Sequence, residues 1–239
     1  MKLLNIDANA KTVKGQKQGY MTAILYLAPA NVSGYEVCPM STAGCRAACL
    51  YTAGRGAFST VQQARIAKTK FFFEARATFM AQLVKEIDAF VKKARKLDLI
   101  PVVRLNGTSD IVWERIPVEG LAFTDGSVPT FANVMEAFPD VQFYDYTKRA
   151  NRRNLPANYH LTFSLAEDNE VNANKALTAG MNVAVVFRTA AYPKTYLSAV
   201  VVDGDESDLR FLDGNGKVVG LYAKGKAKKD TSGFVKEVA

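Results

Sequence analysis

Six short apolar runs, several separated by amphipathic segments and nearly all ending in a polar cluster, predict an α/β fold: a partial (β/α)6, TIM-like barrel with a C-terminal β-hairpin. A loop holding three thiols within twelve residues leaves the first of those runs, at what would be the mouth of such a barrel. Length is the third observation. At 239 residues the chain can bury one substantial core, so residues 1–239 are read as a single domain.

The first run, residues 20–27, is rich in β-favouring residues and is stopped by Pro29 and a polar loop through Gly34. Ser59 followed by Gln62 reads as a capping box opening a long helical region. Within it Phe79, Leu83, Ile87, Phe90, Ala94 and Leu97 recur at helical spacing and form a stripe that must face a core. Phe71, Phe72 and Phe73 are too bunched for one stripe; they mark a bend or a helix buried on several sides, and packing is their expected role. The second strand, 99–105, runs into Asn106, Gly107, Thr108, Ser109 and Asp110, and a helix over 129–138 follows. The third strand, 141–146, leads into Lys148 and Arg149. The fourth, 159–165, ends at Ser164, Glu167 and Asp168, before a helix closed by Gly180. The fifth, 182–187, ends at Arg188, and the sixth, 196–202, at Asp203, Gly204 and Asp205. Residues 213–216, Asp-Gly-Asn-Gly between two β-like runs, read as the turn of the hairpin.

The thiols stand as Cys38, Cys45 and Cys49, spaced Cys-x6-Cys-x3-Cys, with no other cysteine in the chain. Three thiolates suit a [4Fe-4S] cluster in which three irons take sulfur ligands and the fourth stays open for chemistry. Gly44 and the small residues around it let backbone approach an inorganic core, and Arg46 adds positive charge beside an anionic group. The alternatives are zinc, for which only the distant His160 completes a histidine–cysteine set, and unligated thiols acting as small hydrophobes. A disulfide would leave one thiol over.

If the strands are parallel, their polar ends gather at one mouth. That makes Asp110, Lys148, Asp203 and Asp205 the candidates for proton transfer and charge neutralisation, with Asn106, Thr108, Tyr146, Ser164 and Arg188 as substrate-binding candidates. For each, a solvated loop residue or a turn cap is the competing reading. A serine hydrolase is disfavoured: there is no Gly-x-Ser-x-Gly elbow, and His160 and Ser164 on one strand would stand roughly 13 Å apart.

The formal charge of +8 includes two dense basic groups, Lys148, Arg149, Arg152 and Arg153, and Lys224, Lys226, Lys228 and Lys229. They make nucleic acid a conceivable partner beside a small-molecule substrate, although charge without a motif is weak evidence. No apolar run reaches membrane-spanning length, and Asp7 interrupts what a secretory leader would need, so no membrane association and a place in the cytoplasm are expected.

A cluster loop after the first strand of a six-stranded α/β barrel resembles the radical S-adenosylmethionine superfamily, and this resemblance covers about residues 20–205. It implies a [4Fe-4S] cluster whose open iron chelates AdoMet. The superfamily usually shows Cys-x3-Cys-x2-Cys and a Gly-Gly-Glu motif after the second strand, where this chain has a wider spacing and Arg-Leu-Asn-Gly-Thr-Ser-Asp over 104–110. More specifically, the segments at 38–50, 104–111, 143–149, 161–164, 182–187 and 203–210 resemble a family of bacteriophage gene products across nearly the whole length. That implies a phage or prophage origin and, for location, the host cytoplasm. The functional expectation is an iron–sulfur metalloenzyme, a Lewis-acid hydrolase or hydratase acting on a small ester or amide. Its alternatives are a radical AdoMet enzyme and a non-catalytic cluster protein that binds nucleic acid or a host protein.

Overall fold

The computed structural model describes residues 1–6, 10–119 and 130–238. In chain order its elements are β1 (Leu4–Ile6), α1 (Ala10–Gln16), β2 (Tyr20–Leu25), α2 (Ala43–Ala47), α3 (Ser59–Glu74), α4 (Arg76–Lys96), β3 (Ile100–Arg104), α5 (Val134–Ala137), β4 (Gln142–Thr147), β5 (Tyr159–Ser164), α6 (Glu170–Thr178), β6 (Asn182–Phe187), β7 (Thr195–Tyr196), β8 (Ala199–Asp203) and β9 (Val218–Tyr222), with short 3-10 turns between them. The strands make one mixed sheet in the order β1-β2-β3-β4-β5-β6-β9-β8-β7. Every neighbouring pair from β2 through β8 is parallel, and only the edge strands β1 and β7 run against their neighbours. Because β2 to β6 lie side by side in sequence order, the loops leaving their carboxyl ends share one rim of the sheet.

Alternation along the strands divides the core into two faces. On one, Met21, Ala23, Leu25, Val103, Leu105, Phe143 and Leu161 pack against the α4 stripe Phe79, Leu83, Ile87, Phe90 and Ala94, all buried. Leu97, expected to extend that stripe, is 53% exposed because α4 ends at Lys96. On the other face Val102 and Tyr144 meet Leu209. There the Arg104 guanidinium pairs with Asp208 at 3.1 Å and lies over the Tyr146 ring, while the Tyr144 hydroxyl donates to the same carboxylate at 3.0 Å.

The helical region breaks at Ala75 (φ −140°), and Phe72 turns edge-on to Phe73 and Phe79 and lies against Trp113, so the aromatic triplet sits at the expected bend. The capping box does not form. The chain enters α3 through Phe58 with no side-chain cap, and the Gln62 amide donates to the Gly56 carbonyl instead. The helix expected over 129–138 is short, spanning Val134–Ala137, and its expected start at Pro129 lies outside the described residues.

Two strand expectations are corrected. The sixth run is itself a hairpin, β7 and β8, turning on Leu197 and Ser198 at φ 49° and 60°. Those residues rarely adopt such angles, so no Asn-Gly or Asp-Gly signal marked the turn. Among the described residues the expected C-terminal hairpin does not form either. The glycine turn at 213–216 forms, with Gly214 and Gly216 at positive φ, but β9 inserts in parallel between β6 and β8.

Asp205 ties distant parts of the chain together. Its carboxylate takes Lys11 and Lys224 at 2.8 and 2.7 Å, the Tyr192 hydroxyl at 2.7 Å and the Tyr222 amide at 2.6 Å, and Lys11 also reaches the Gly204 carbonyl. Burial pushes this carboxyl up, but the bonds from Lys11, Lys224 and Tyr192 outweigh it and hold it well below the usual carboxylate range. A depressed acid contributes stability that is present above its unfolded value, near pH ~4, and is lost as pH falls through the folded value. Asp205→Asn should therefore cost about 1–3 kcal/mol at neutral pH, a difference that shrinks on acidification. Denaturant titrations from neutral to acid pH check this; a pH-independent difference contradicts it.

Candidate functional site

The cysteine loop leaves β2 at the carboxyl rim of the sheet and is fastened there by the ends of two other strands. From the β3 side, Asp110 N donates to the Val37 carbonyl at 2.8 Å, Thr108 Oγ1 donates to Leu27 O at 2.5 Å, and the Cys38 thiol points at Thr108 O at 3.7 Å. From the β5 side comes Glu167. Its carboxylate accepts Gly44 N and Thr42 Oγ1, both at 2.6 Å, while Thr42 caps α2 by accepting from Cys45 N. The outer part of the loop is held by Arg46, which bonds Ser41 and pairs with Glu36 at 3.1 Å.

Gly44 is required by close approach. A Cβ there would lie 2.1 Å from Ser232 Oγ and 2.8 Å from both Glu167 oxygens. Gly44→Ala should push α2 off the rim and cost about 1–3 kcal/mol, the range for overpacking a filled site. A melting temperature equal to that of the unmodified protein would contradict this.

All three thiols are free and half-buried. Burial pushes the Cys38 thiol up to about 12, with Cys49, Asp110 and Cys45 adding to the shift. Burial also raises Cys49; Cys45 adds to it, and the Arg65 and Lys148 charges oppose it. Among the described residues no three His, Cys, Asp or Glu side chains are gathered tightly enough for a single metal ion. A cubane binds its thiolates at separate corners and so holds them farther apart than one ion does.

Arg65 decides whether an anionic group suits this space. It is 8% exposed, its guanidinium lies over the rings of Tyr26 and Tyr51 at 4.7 and 5.6 Å, and its Nε and Nη1 are buried without a hydrogen-bond partner. Two buried guanidinium nitrogens without partners, on a cation whose charge acts on Cys49, are costly alone and are relieved by an anion. The charge at this end of the loop suits an anionic group, a class that includes a thiolate-bound iron–sulfur core.

The other predicted residues share the rim but are differently employed. Asp110 accepts from Thr147 Oγ1 at 2.8 Å and Lys148 N at 2.9 Å, with Arg152 3.6 Å away. Asn106 is buried, accepting from Ser109, Ile111 N and Trp113 Nε1 while donating to Ile111 O and Asp145. Asp203 accepts Asp205 N in a local turn, and Asp205 is the tie described above. Arg188 clamps the C-terminal segment through Ala227 O, Lys228 O, Asp230 O and Glu237. Tyr146 lies under Arg104. Lys148 and Ser164 come together at 2.7 Å, both half-buried. His160, second in β5, lies toward the strand end away from the cysteine loop, and burial followed by Arg210 lowers its pKa.

The profile of the family described as Gene product 88 matches residues 1–238. The chain belongs to this family of phage gene products. No curated protein and no solved structure gives a match. Within this Gene product 88 chain, no described helix is long and apolar enough to cross a membrane. The two basic groups are also split by the fold. Arg152 is buried on Glu114 and Tyr159, and Lys224 is paired with Asp205, whereas Lys226, Lys228 and Lys229 are exposed. Sequence reasoning missed the roles of Arg65 and Glu167. Nothing in the neighbourhood of Arg65 marks it out; Glu167 was noted at a strand end, but its partner Gly44 lies 123 residues away.

Proposed function

We propose that Cys38, Cys45 and Cys49 hold a [4Fe-4S] cluster with one iron uncoordinated by protein, and that the chain is an enzyme working at that corner as a hydrolase or hydratase. The observation that carries this reading is the buried Arg65 guanidinium, whose Nε and Nη1 have no hydrogen-bond partner and whose charge acts on the half-buried Cys49 thiol. Bound there, the cluster would supply a Lewis-acidic iron. The chain's own contribution centres on Lys148. One of its three ammonium donors goes to Ser164 Oγ at 2.7 Å, which orients the charge, and the others are available to neutralise a substrate oxygen. Asp110, Asp203 and Asp205 are assigned positioning work, since their carboxylates already hold loops and neighbouring strands. We also read the sheet as a partial barrel; the tie from Lys11, between β1 and β2, to Gly204 and Asp205, after β8, supports strong curvature.

The test is a screen of small esters and amides with anaerobically purified protein. Lys148→Met is expected to keep iron content and melting behaviour while lowering turnover by two or more orders of magnitude. Full activity in that variant would overturn the assignment. The side-by-side parallel order of β2 to β6, with the cysteine loop after β2, favours radical AdoMet chemistry as the second reading. Release of 5′-deoxyadenosine from AdoMet by the reduced protein would put that reading first.

A further inference from the structure

Between the start of the cysteine loop, the α3–α4 junction and the segment after β3 lies a cleft of about 270 Å³. Its wall is apolar, made largely by Phe72, Phe73, Ile111 and Ile116, yet two guanidinium groups, Arg76 and Arg149, line it as well. Each is fixed through Nε to a backbone carbonyl: Arg76 to Phe72 at 2.7 Å, with its guanidinium 3.6 Å over the Phe72 ring, and Arg149 to Asp110 at 3.3 Å. This leaves the two-nitrogen end of each fork to donate elsewhere, and among the described residues neither arginine forms an ion pair. The acids lining the cleft are already employed. Glu36 holds Cys38 N and Arg46, and Asp110 holds Thr147 and Lys148 N.

We infer that this cleft binds a small oxyanion bearing an apolar group, its carboxylate or phosphate on Arg76 and Arg149 and its apolar part against Phe72, Phe73 and Ile116. Arginine forks match such oxyanions bidentately, and a mostly apolar pocket with a few fixed polar groups is the usual form of a small-molecule site. The inference goes beyond the cluster reading and uses none of its thiols. Val37 and Pro39 flank Cys38 and also line the cleft, which puts a bound molecule next to the cysteine loop.

The only tryptophan, Trp113, is buried 5.2 Å from Phe72 and reports on occupancy by fluorescence, with calorimetry alongside. Phenyl phosphate and benzoate are the probes, benzyl alcohol and inorganic phosphate the comparisons. Saturable binding of at least one probe is expected, at least tenfold tighter than either comparison compound, and the preferred probe tells a tetrahedral from a planar anion. Arg76→Gln and Arg149→Gln should each weaken it at least tenfold at unchanged melting temperature. Arg76→Lys, which keeps charge but loses the fork, should recover only part of the affinity. Binding should persist in Cys38→Ala, separating this result from failure of the cluster reading. Absence of saturable binding by both methods, equal affinity for benzyl alcohol, or unchanged affinity in both glutamine variants would overturn the inference.

Discussion

Replacing Cys38, Cys45 or Cys49 by alanine is expected to remove iron and acid-labile sulfide together from anaerobically purified protein, and with them its colour. The effect should be all-or-none, because three protein ligands are the fewest the proposed cluster has and two cannot hold it. Stability separates this from a packing defect. The thiols are half-buried and free, and only Cys45 packs at the edge of an apolar cluster, so truncation to alanine should cost the metal-free chain about 1 kcal/mol or less. Iron lost at a nearly unchanged metal-free melting temperature is the predicted pattern. Zinc in place of iron after anaerobic reconstitution, or full iron in all three variants, contradicts it.

Asn106→Ala is expected to cost on the order of 4 kcal/mol, much of a typical domain's stability. Asn106 is 2% exposed, and its Oδ1 accepts from Ser109 Oγ at 2.8 Å, Ile111 N at 2.9 Å and Trp113 Nε1 at 3.1 Å. Removing the amide strands three donors at once, each worth about 1–3 kcal/mol when buried without a partner. Asn106→Asp keeps an acceptor but sets a second carboxylate near Asp145, so it should also destabilise. Chemical denaturation measures both. If Asn106→Ala melts like the parent but loses substrate affinity, the substrate-binding expectation from sequence is right and the structural role is wrong.

The contrast between those two sites shows what could be read in advance. The thiols were visible because ligand chemistry depends on residue type and spacing, both explicit in the chain. The strands from β2 to β6 were visible because each is a short stretch rich in apolar and β-favouring residues that ends in a polar cluster or turn. Asn106, read as a substrate-binding candidate, and Asp110, read as a proton-transfer candidate, both stand after β3 as expected, but their structural partners were not legible, because a polar side chain's partner cannot be seen from its own neighbourhood. Asp110 finds Thr147 and Lys148 N, 37 and 38 residues away. Lys148 donates to Ser164 Oγ and forms no ion pair among the described residues.

Local periodicity and composition carried the α/β class, the succession of strands and the three thiols in one loop; of the two readings of the Phe71–Phe73 triplet, a bend or a helix buried on several sides, the structure shows the bend. Packing decided that β9 enters between β6 and β8, that Asp205 becomes a tie between distant segments, and that Arg65 is buried with its Nε and Nη1 lacking hydrogen-bond partners. The reason is that strand neighbours and hydrogen-bond partners are chosen by packing across long separations, such as the 193 residues between Lys11 and the Gly204 carbonyl it reaches. Local propensity carries no information at that range.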